Sequence, residues 1–96
     1  MNHTILLVGS LSNDLFRVAK LAQRNSKKAA CRFLQEAKRW SAQLENDHHT
    51  ADYIAKVVKD ISSRSENDIS PESAETYLMY GILLQNYTKH LREKKD

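Results

Sequence analysis

The chain has 96 residues, a formal net charge of +3 and one cysteine. This length suits one domain with one hydrophobic core, because two cores would each be too small to be stable. Cys31 excludes an intramolecular disulfide, and its helix-like surroundings predict a buried, unreactive thiol. No apolar segment approaches the roughly 18 residues of a spanning helix, and no secretory signal is evident, so we expect a cytoplasmic location.

The charge is unevenly distributed along the chain. Residues 1–44 carry eight bases against two acids, a net charge of +6. Residues 45–75 carry three bases against eight acids, a net charge of −5, and residues 76–96 have a net charge of +2. If the two halves fold on each other, we expect either attraction across the fold or a dipolar surface that faces a partner.

The first helix is predicted over about residues 4–24, from apolar side chains spaced three and four positions apart. These are Ile5, Val8, Leu11, Leu15, Val18 and Ala22. The stretch from Gly9 to Asp14 is rich in turn-forming residues, so Ser12 or Asn13 could instead cap a shorter helix. In that alternative, residues 4–8 form an arm or a strand.

Three further helices are predicted at about 27–45, 48–63 and 71–94. The second begins at Ser26 as N-cap, and its seam is Ala30, Phe33, Ala37, Trp40 and Leu44. The third has Asp47 or Thr50 as cap and uses Tyr53, Ile54, Val57, Val58 and Ile61. The fourth has Ser70 as cap and Pro71 in the first turn. Short connections favour antiparallel neighbours, which predicts an all-α, single-domain, antiparallel up-down four-helix bundle.

The sequence carries no constellation typical of an enzyme or a metal site. His48 and Asp52 are one helical turn apart, but a metal site in a bundle needs ligands from another helix, and no matching motif supplies them. His90 and its basic neighbours complement the negative end of the last helix, which explains them without phosphotransfer. We therefore predict no enzymatic activity, no metal and no other cofactor, with His48 and His49 in a polar loop.

A basic cluster lies around the connection between the first two helices. Its central residues form a candidate anion-binding face: Arg24, Lys27, Lys28 and Arg32. Such a face could bind the phosphates of a nucleic acid or an anionic membrane surface. Aromatic residues that would stack on bases are missing there, so a solvated outer face is the simpler interpretation.

The fourth helix contains more apolar residues than one core face needs. Residues 77–84 include no strongly polar side chain, and residues 5–7 and Phe16 show a similar excess in the first helix. The surplus predicts an interface with a protein partner or a second copy, where Gly81 would allow close approach. The candidate interface residues are Leu7, Phe16, Met79, Tyr80, Leu83 and Tyr87.

In gross plan the chain resembles the small bacteriocin immunity proteins. The resemblance lies in length, basic charge, four antiparallel helices and the loop from Asn67 to Pro71 that enters the last helix. It implies protection of a cell against a peptide toxin. The pattern of the residues favours a non-enzymatic interaction or adaptor module that can self-associate through the first and fourth helices. A basic nucleic-acid-binding accessory protein is the third hypothesis.

Overall fold

The computed structural model describes residues 3–47 and 50–93. Throughout those ranges the regular structure is helical, without a strand. The helices are α1 (His3–Gln23), α2 (Lys27–Leu44), α3 (Asp52–Ser63) and α4 (Pro71–Glu93). The first helix is continuous, so the alternative of a shorter helix preceded by an arm or strand is wrong. The predicted four-helix bundle is confirmed.

Contacts between consecutive helices show the up-and-down path of the chain. Thr4, at the start of α1, donates a hydrogen bond to Asp47, which follows the end of α2. Gln35 of α2 donates to Glu66, which follows the end of α3, at 3.0 Å. The backbone N–H of Ala51 donates to the Tyr87 hydroxyl of α4 at 3.0 Å. Each helix therefore runs antiparallel to the next.

The first helix is the centre of the bundle. It packs extensively against both α2 and α4, whereas α3 packs mainly on α2 and approaches α4 at few positions. The buried side chains of all four helices form one apolar cluster, whose largest members include Leu11, Leu15, Leu34, Ile54 and Leu84. The side of α4 that faces away from this cluster is left open to solvent.

The seam of α2 differs from the predicted one. Its buried residues are Ala30, Leu34, Ala37, Ser41 and Leu44. Phe33 and Trp40 are only half-buried and pack against the edge of the cluster. Leu34 and Ser41 each lie one position after Phe33 and Trp40. The side of the helix that faces the core therefore carries the smaller side chains, and the two large rings lie at its edge. The prediction of Phe33 and Trp40 as seam residues is therefore wrong.

Helix boundaries follow the capping chemistry only in part. In α4 the Ser73 N–H donates to the Ser70 hydroxyl at 3.0 Å, which confirms Ser70 as the N-cap. The third helix begins at Asp52, later than predicted, and Ala51 is its N-cap. Asp47 and Thr50 are therefore not its caps. The predicted start at 48 and the histidines at 48 and 49 lie outside the described residues.

A residue in the left-handed backbone conformation ends α1 and connects it to α2. Asn25 has φ of 62°, and its N–H donates to the Ala22 carbonyl at 3.1 Å. The N–H of Ser26 donates to the Leu21 carbonyl at 2.9 Å. These two bonds form a Schellman motif, in which asparagine tolerates the left-handed conformation. Ser26 is the N-cap residue of α2, although its side chain makes no capping hydrogen bond.

Candidate protein-binding surface

Four large apolar side chains lie on the solvent side of α4. Leu78 is 39% exposed, Met79 55%, Ile82 46% and Leu83 37%. They occupy adjacent positions in successive turns, opposite the buried Tyr77, Gly81 and Leu84. We call Leu78, Met79, Ile82 and Leu83 the α4 stripe. The predicted surplus of apolar residues on this helix is thus present at the surface.

The α4 stripe overlaps only partly with the interface residues predicted from the sequence. Met79 and Leu83 belong to both sets. Leu78 and Ile82 were missed, although they lie within the apolar run at 77–84 and are four residues apart. That spacing was the available signal, because two residues four positions apart share one helical face. The prediction instead favoured tyrosine and methionine because of their residue type, and it therefore passed over Leu78 and Ile82.

Leu7 and Tyr87 are core residues, and their assignment to an exposed interface is wrong. Leu7 is 3% exposed and Tyr87 5%. Tyr87 receives the Ala51 N–H and stands edge-on to the Tyr53 ring, with centroids 5.9 Å apart. In α1 the exposed apolar residue is Leu6, one position earlier. A shift of one position moves a side chain about 100° around a helix, from core to solvent.

Phe16 and Gly81 meet inside the molecule. A Cβ on Gly81 would lie 3.0 Å from Cδ1 and from Cε1 of Phe16. Beside them the Ser12 hydroxyl donates to the Gly81 carbonyl at 2.8 Å. Gly81 therefore permits close approach of α1 to α4, and its buried position shows that it is not part of the exposed face. Phe16 is half-buried by the same contact.

Tyr80 is half-buried and points toward α3, where its hydroxyl donates to Asp60 Oδ2. Asp60 also receives both Nε and Nη2 of Arg64, at 3.0 and 3.2 Å. The Arg64 guanidinium holds the pKa of Asp60 below its ordinary value. Tyr80 thus takes part in the contact between α3 and α4 and borders the α4 stripe from that side.

The same arginine continues this network into the start of α4. Its Nη1 donates to Asp68 Oδ2 at 3.2 Å and to the Ser73 hydroxyl at 3.3 Å. Ser73 donates to Asp68 Oδ1 at 2.6 Å, and Tyr77 donates to the Asp68 carbonyl at 2.7 Å. The guanidinium carbon lies 5.2 Å from the centre of the Tyr77 ring. These bonds fix α4, and with it the orientation of the α4 stripe, relative to α3.

The two ends of the α4 stripe differ in charge. Toward the N-terminus of the helix lie the exposed acids Glu72 and Glu75. Toward the C-terminus lie Asn86, Lys89 and His90, which are also exposed. From residue 72 to residue 90 the exposed face of α4 therefore runs from acidic through apolar to basic, and the exposed acid Glu93 follows in the last turn.

The candidate anion-binding face is exposed as predicted. Arg24, Lys27, Lys28 and Arg32 all have exposed side chains around the connection between α1 and α2. Residues 25–29 and Arg32 line a shallow depression there. Arg17, farther along α1, lies over the Phe33 ring, with its guanidinium carbon 5.3 Å from the ring centre. The residues that line the depression are exposed or half-buried, so an anion there would be attracted by charge alone, and anion binding stays a prediction.

Asp14 is a buried carboxylate between α1 and α2. It is 3% exposed, and its Oδ2 accepts a hydrogen bond from the Trp40 indole N–H at 2.9 Å. Burial and the neighbouring Glu36 raise the pKa of Asp14 to about 7, although the Trp40 hydrogen bond and the Arg17 charge lower it. The site lies within the packing of α1 on α2.

The remaining chemical candidates lie apart from one another. Cys31 is half-buried rather than buried, and its thiol lies 3.8 Å from Asn67 Oδ1. His90 is exposed in the last turn of α4. Among residues 3–47 and 50–93, no group of three His, Cys, Asp or Glu side chains could hold a metal ion. Within the same ranges, no helix has the length and apolar character needed to cross a bilayer.

No protein-family model, curated protein or solved structure matches the chain.

Proposed function

We propose that the protein is a non-enzymatic protein-interaction module that binds its partner through the α4 stripe. The observation that carries this proposal is the exposure of Leu78, Met79, Ile82 and Leu83 side by side on one helix face. Such an arrangement leaves a continuous apolar surface in contact with water. Covering that surface with a protein partner is favourable, by about 25 cal/mol for each Å² of apolar area.

The structure of α4 supports a role in binding. The helix is held in place by close packing at Gly81 and by the hydrogen bonds of Tyr77 and Tyr80. Its exposed apolar residues are therefore presented on a rigid support, and little ordering is needed on binding. Methionine at the centre of the stripe adapts to surfaces of different shape. The basic face is a weaker candidate, because exposed bases alone describe a solvated surface equally well.

Substitution of one stripe residue by glutamate tests the proposal. The tagged protein serves as bait in the cell that produces it, and retained proteins are quantified by mass spectrometry for the wild type and for Ile82→Glu. We expect Ile82→Glu to reduce a specifically retained protein by more than about tenfold, because a buried unpaired charge opposes association. A second copy of the chain with a different tag is co-expressed with the bait, so that retained copies of the chain itself are counted as well.

Ala42→Glu is the matched control. Ala42 is exposed on α2, so this variant introduces the same charge on another helix. It should retain the partner as the wild type does. Circular dichroism of both variants establishes that they remain folded. Equal retention by the wild type and Ile82→Glu would show that the α4 stripe is not the binding surface.

A further inference from the structure

We propose that the partner of the α4 stripe is a second copy of this chain, with the two α4 helices antiparallel about a two-fold axis between residues 80 and 81. This assignment rests on the proposed function, since it uses the same surface. The supporting observation is the order of side chains along the exposed face of α4. When two copies of this face are antiparallel, apolar groups lie opposite apolar groups, and the acidic end lies opposite the basic end.

The apolar residues match in this arrangement. With the axis between residues 80 and 81, Leu78 lies level with Leu83 of the second copy, and Met79 with Ile82. Each stripe residue therefore meets apolar side chains, and the four exposed groups of each copy are covered together. An isologous contact of this kind closes on itself, so it predicts a dimer rather than a filament.

The charges at the ends of the stripe select the antiparallel orientation. Glu72 of one copy comes level with Lys89 and His90 of the other, and Glu75 comes level with Asn86. All five side chains are exposed, so they are available for these contacts. In a parallel arrangement Glu72 and Glu75 would face the same acids of the second copy, and Lys89 would face Lys89. Opposite charges at both ends therefore favour the antiparallel pair, and antiparallel helix dipoles add to this preference.

The size of the matched surface predicts a dimer of moderate affinity. From residue 72 to residue 90 the helix extends about 27 Å, at 1.5 Å for each residue. One helix face of this length covers less area than the roughly 800 Å² that each partner contributes to a standard interface. We therefore expect a dissociation constant in the micromolar range.

Sedimentation equilibrium of the purified protein, from micromolar to millimolar concentration, tests for the dimer. We expect a monomer–dimer equilibrium in the wild type and in Ala42→Glu. In Ile82→Glu, dimer formation should weaken by more than about tenfold, because two glutamates are placed close to the axis. A wild type that remains monomeric up to millimolar concentration overturns the dimer. If Ile82→Glu nevertheless loses a retained protein of different sequence, the proposed function stands without it.

Disulfide crosslinking tests the orientation with residues outside the α4 stripe. The background is Cys31→Ser, so that introduced cysteines are the only thiols. In the antiparallel dimer the two copies of residue 75 are separated by about 16 Å along the axis, too far for a disulfide. Glu75→Cys alone should therefore remain uncrosslinked under mild oxidation, whereas Glu75→Cys with Asn86→Cys should crosslink two chains. Efficient crosslinking of Glu75→Cys alone overturns the antiparallel arrangement.

Reversal of the end charges provides an independent check of the same register. Glu72→Lys should weaken the dimer about fivefold, and Lys89→Glu should do likewise, as expected for exposed ion pairs. The double variant should recover most of the wild-type affinity, because the opposite charges are restored in exchanged positions. Failure of the double variant to recover the affinity lost in the single variants would show that these ends do not meet and would contradict the proposal.

Discussion

At the scale of single residues, Asp14 is the least expected feature of the molecule. The sequence places it among the first-half charges, and the structure buries its carboxyl group between α1 and α2. The unfolded chain has a pKa near 3.8 at this position, whereas the folded protein has one of about 7. A buried carboxyl is easier to keep neutral than ionised, so folding and protonation of Asp14 are linked.

The first prediction follows from this linkage. Between pH 3.8 and about 7 the unfolded state releases a proton that the folded state retains. The contribution of Asp14 to the free energy of unfolding is therefore fully present below this window and is lost as the pH rises through it. Asp14→Asn removes the dependence while its amide oxygen still accepts from Trp40. We expect the variant to be more stable than the wild type at pH 8 by on the order of 2 kcal/mol.

Urea denaturation at pH 5 and pH 8 measures this difference. The gain in stability from Asp14→Asn should be larger at pH 8 than at pH 5, because only the ionised carboxyl is penalised by burial. An equal effect of the substitution at both pH values would show that Asp14 is ionised throughout the range, and would refute the linkage.

At the scale of helices, glycine has two different roles in this protein. Both glycines are in helices, where alanine is favoured by about 1 kcal/mol. A Cβ on Gly9 would contact nothing within 4 Å, whereas one on Gly81 would press on the Phe16 ring at 3.0 Å. The second prediction is that Gly9→Ala stabilises the protein by up to about 1 kcal/mol. Gly81→Ala should be less favourable than Gly9→Ala by about 1–2 kcal/mol.

Thermal denaturation of the two variants makes the comparison directly. Both variants replace a helical glycine by alanine. The difference between their changes in stability therefore reports the packing of α1 on α4. Repeating both in a Phe16→Leu background should reduce the difference, because the ring that meets the new Cβ is gone. An unchanged difference in that background would mean that contacts other than Phe16 determine the cost at Gly81.

Helix α2 shows why helix positions were easier to predict than helix faces. Its boundaries agree with the sequence pattern to within a residue. Its buried seam contains Leu34 and Ser41, while Phe33 and Trp40 lie at the edge. Apolar residues occur at 30, 33, 34, 37, 40 and 44, so either of two adjacent stripes fits a 3.6-residue period. The choice between them depends on how much space α1 and α3 leave for a large ring.

At the scale of the whole molecule, a network of polar side chains joins the end of α3 to the start of α4. Arg64 bonds Asp60, Asp68 and Ser73, and its side chain is 20% exposed. The third prediction is that Arg64→Met lowers the free energy of unfolding by about 2 kcal/mol, because partly buried acceptors lose their donor. Hydrogen exchange should increase more in α3 than in α1, since α1 keeps its packing against both neighbours.

Lys59→Met is the control for this prediction. Lys59 is exposed on the same helix, so its replacement removes a positive charge without removing the bonds to Asp60 and Asp68. We expect its stability to stay within about 0.5 kcal/mol of the wild type. Equal losses in both variants, measured by chemical denaturation, would point to general charge effects rather than to the network.

Two of the acidic residues between 45 and 75 take part in the same network. The sequence predicted either attraction between the basic first half and this acidic segment or a dipolar surface that faces a partner. In the structure, Asp60 and Asp68 form their ion pairs with Arg64 of the same segment, at 3.0 and 3.2 Å. Local pairing four residues away along the chain requires less ordering than pairing across the bundle. The distribution of net charge alone therefore did not determine which groups meet.

Local features of the chain were enough to predict the four helices, their order and the antiparallel bundle. Periodic apolar residues, Ser70 with Pro71, and short connections are local features, and each acts within one or two helical turns of its own position. The sequence also indicated a surplus of apolar residues on α4, because a run without polar side chains exceeds what one core face can bury.

Which of those residues are covered depends on the packing of the helices against one another. Leu7 and Tyr87 entered the core, while Leu78 and Ile82 stayed in solvent. Asp14 is buried, and the Phe16 ring occupies the space beside Gly81. A rotation of one residue about the helix axis exchanges core and solvent, and it costs little in local helix energy. That rotation is fixed by packing among helices distant in sequence, so the orientation of the binding face depends on the whole bundle.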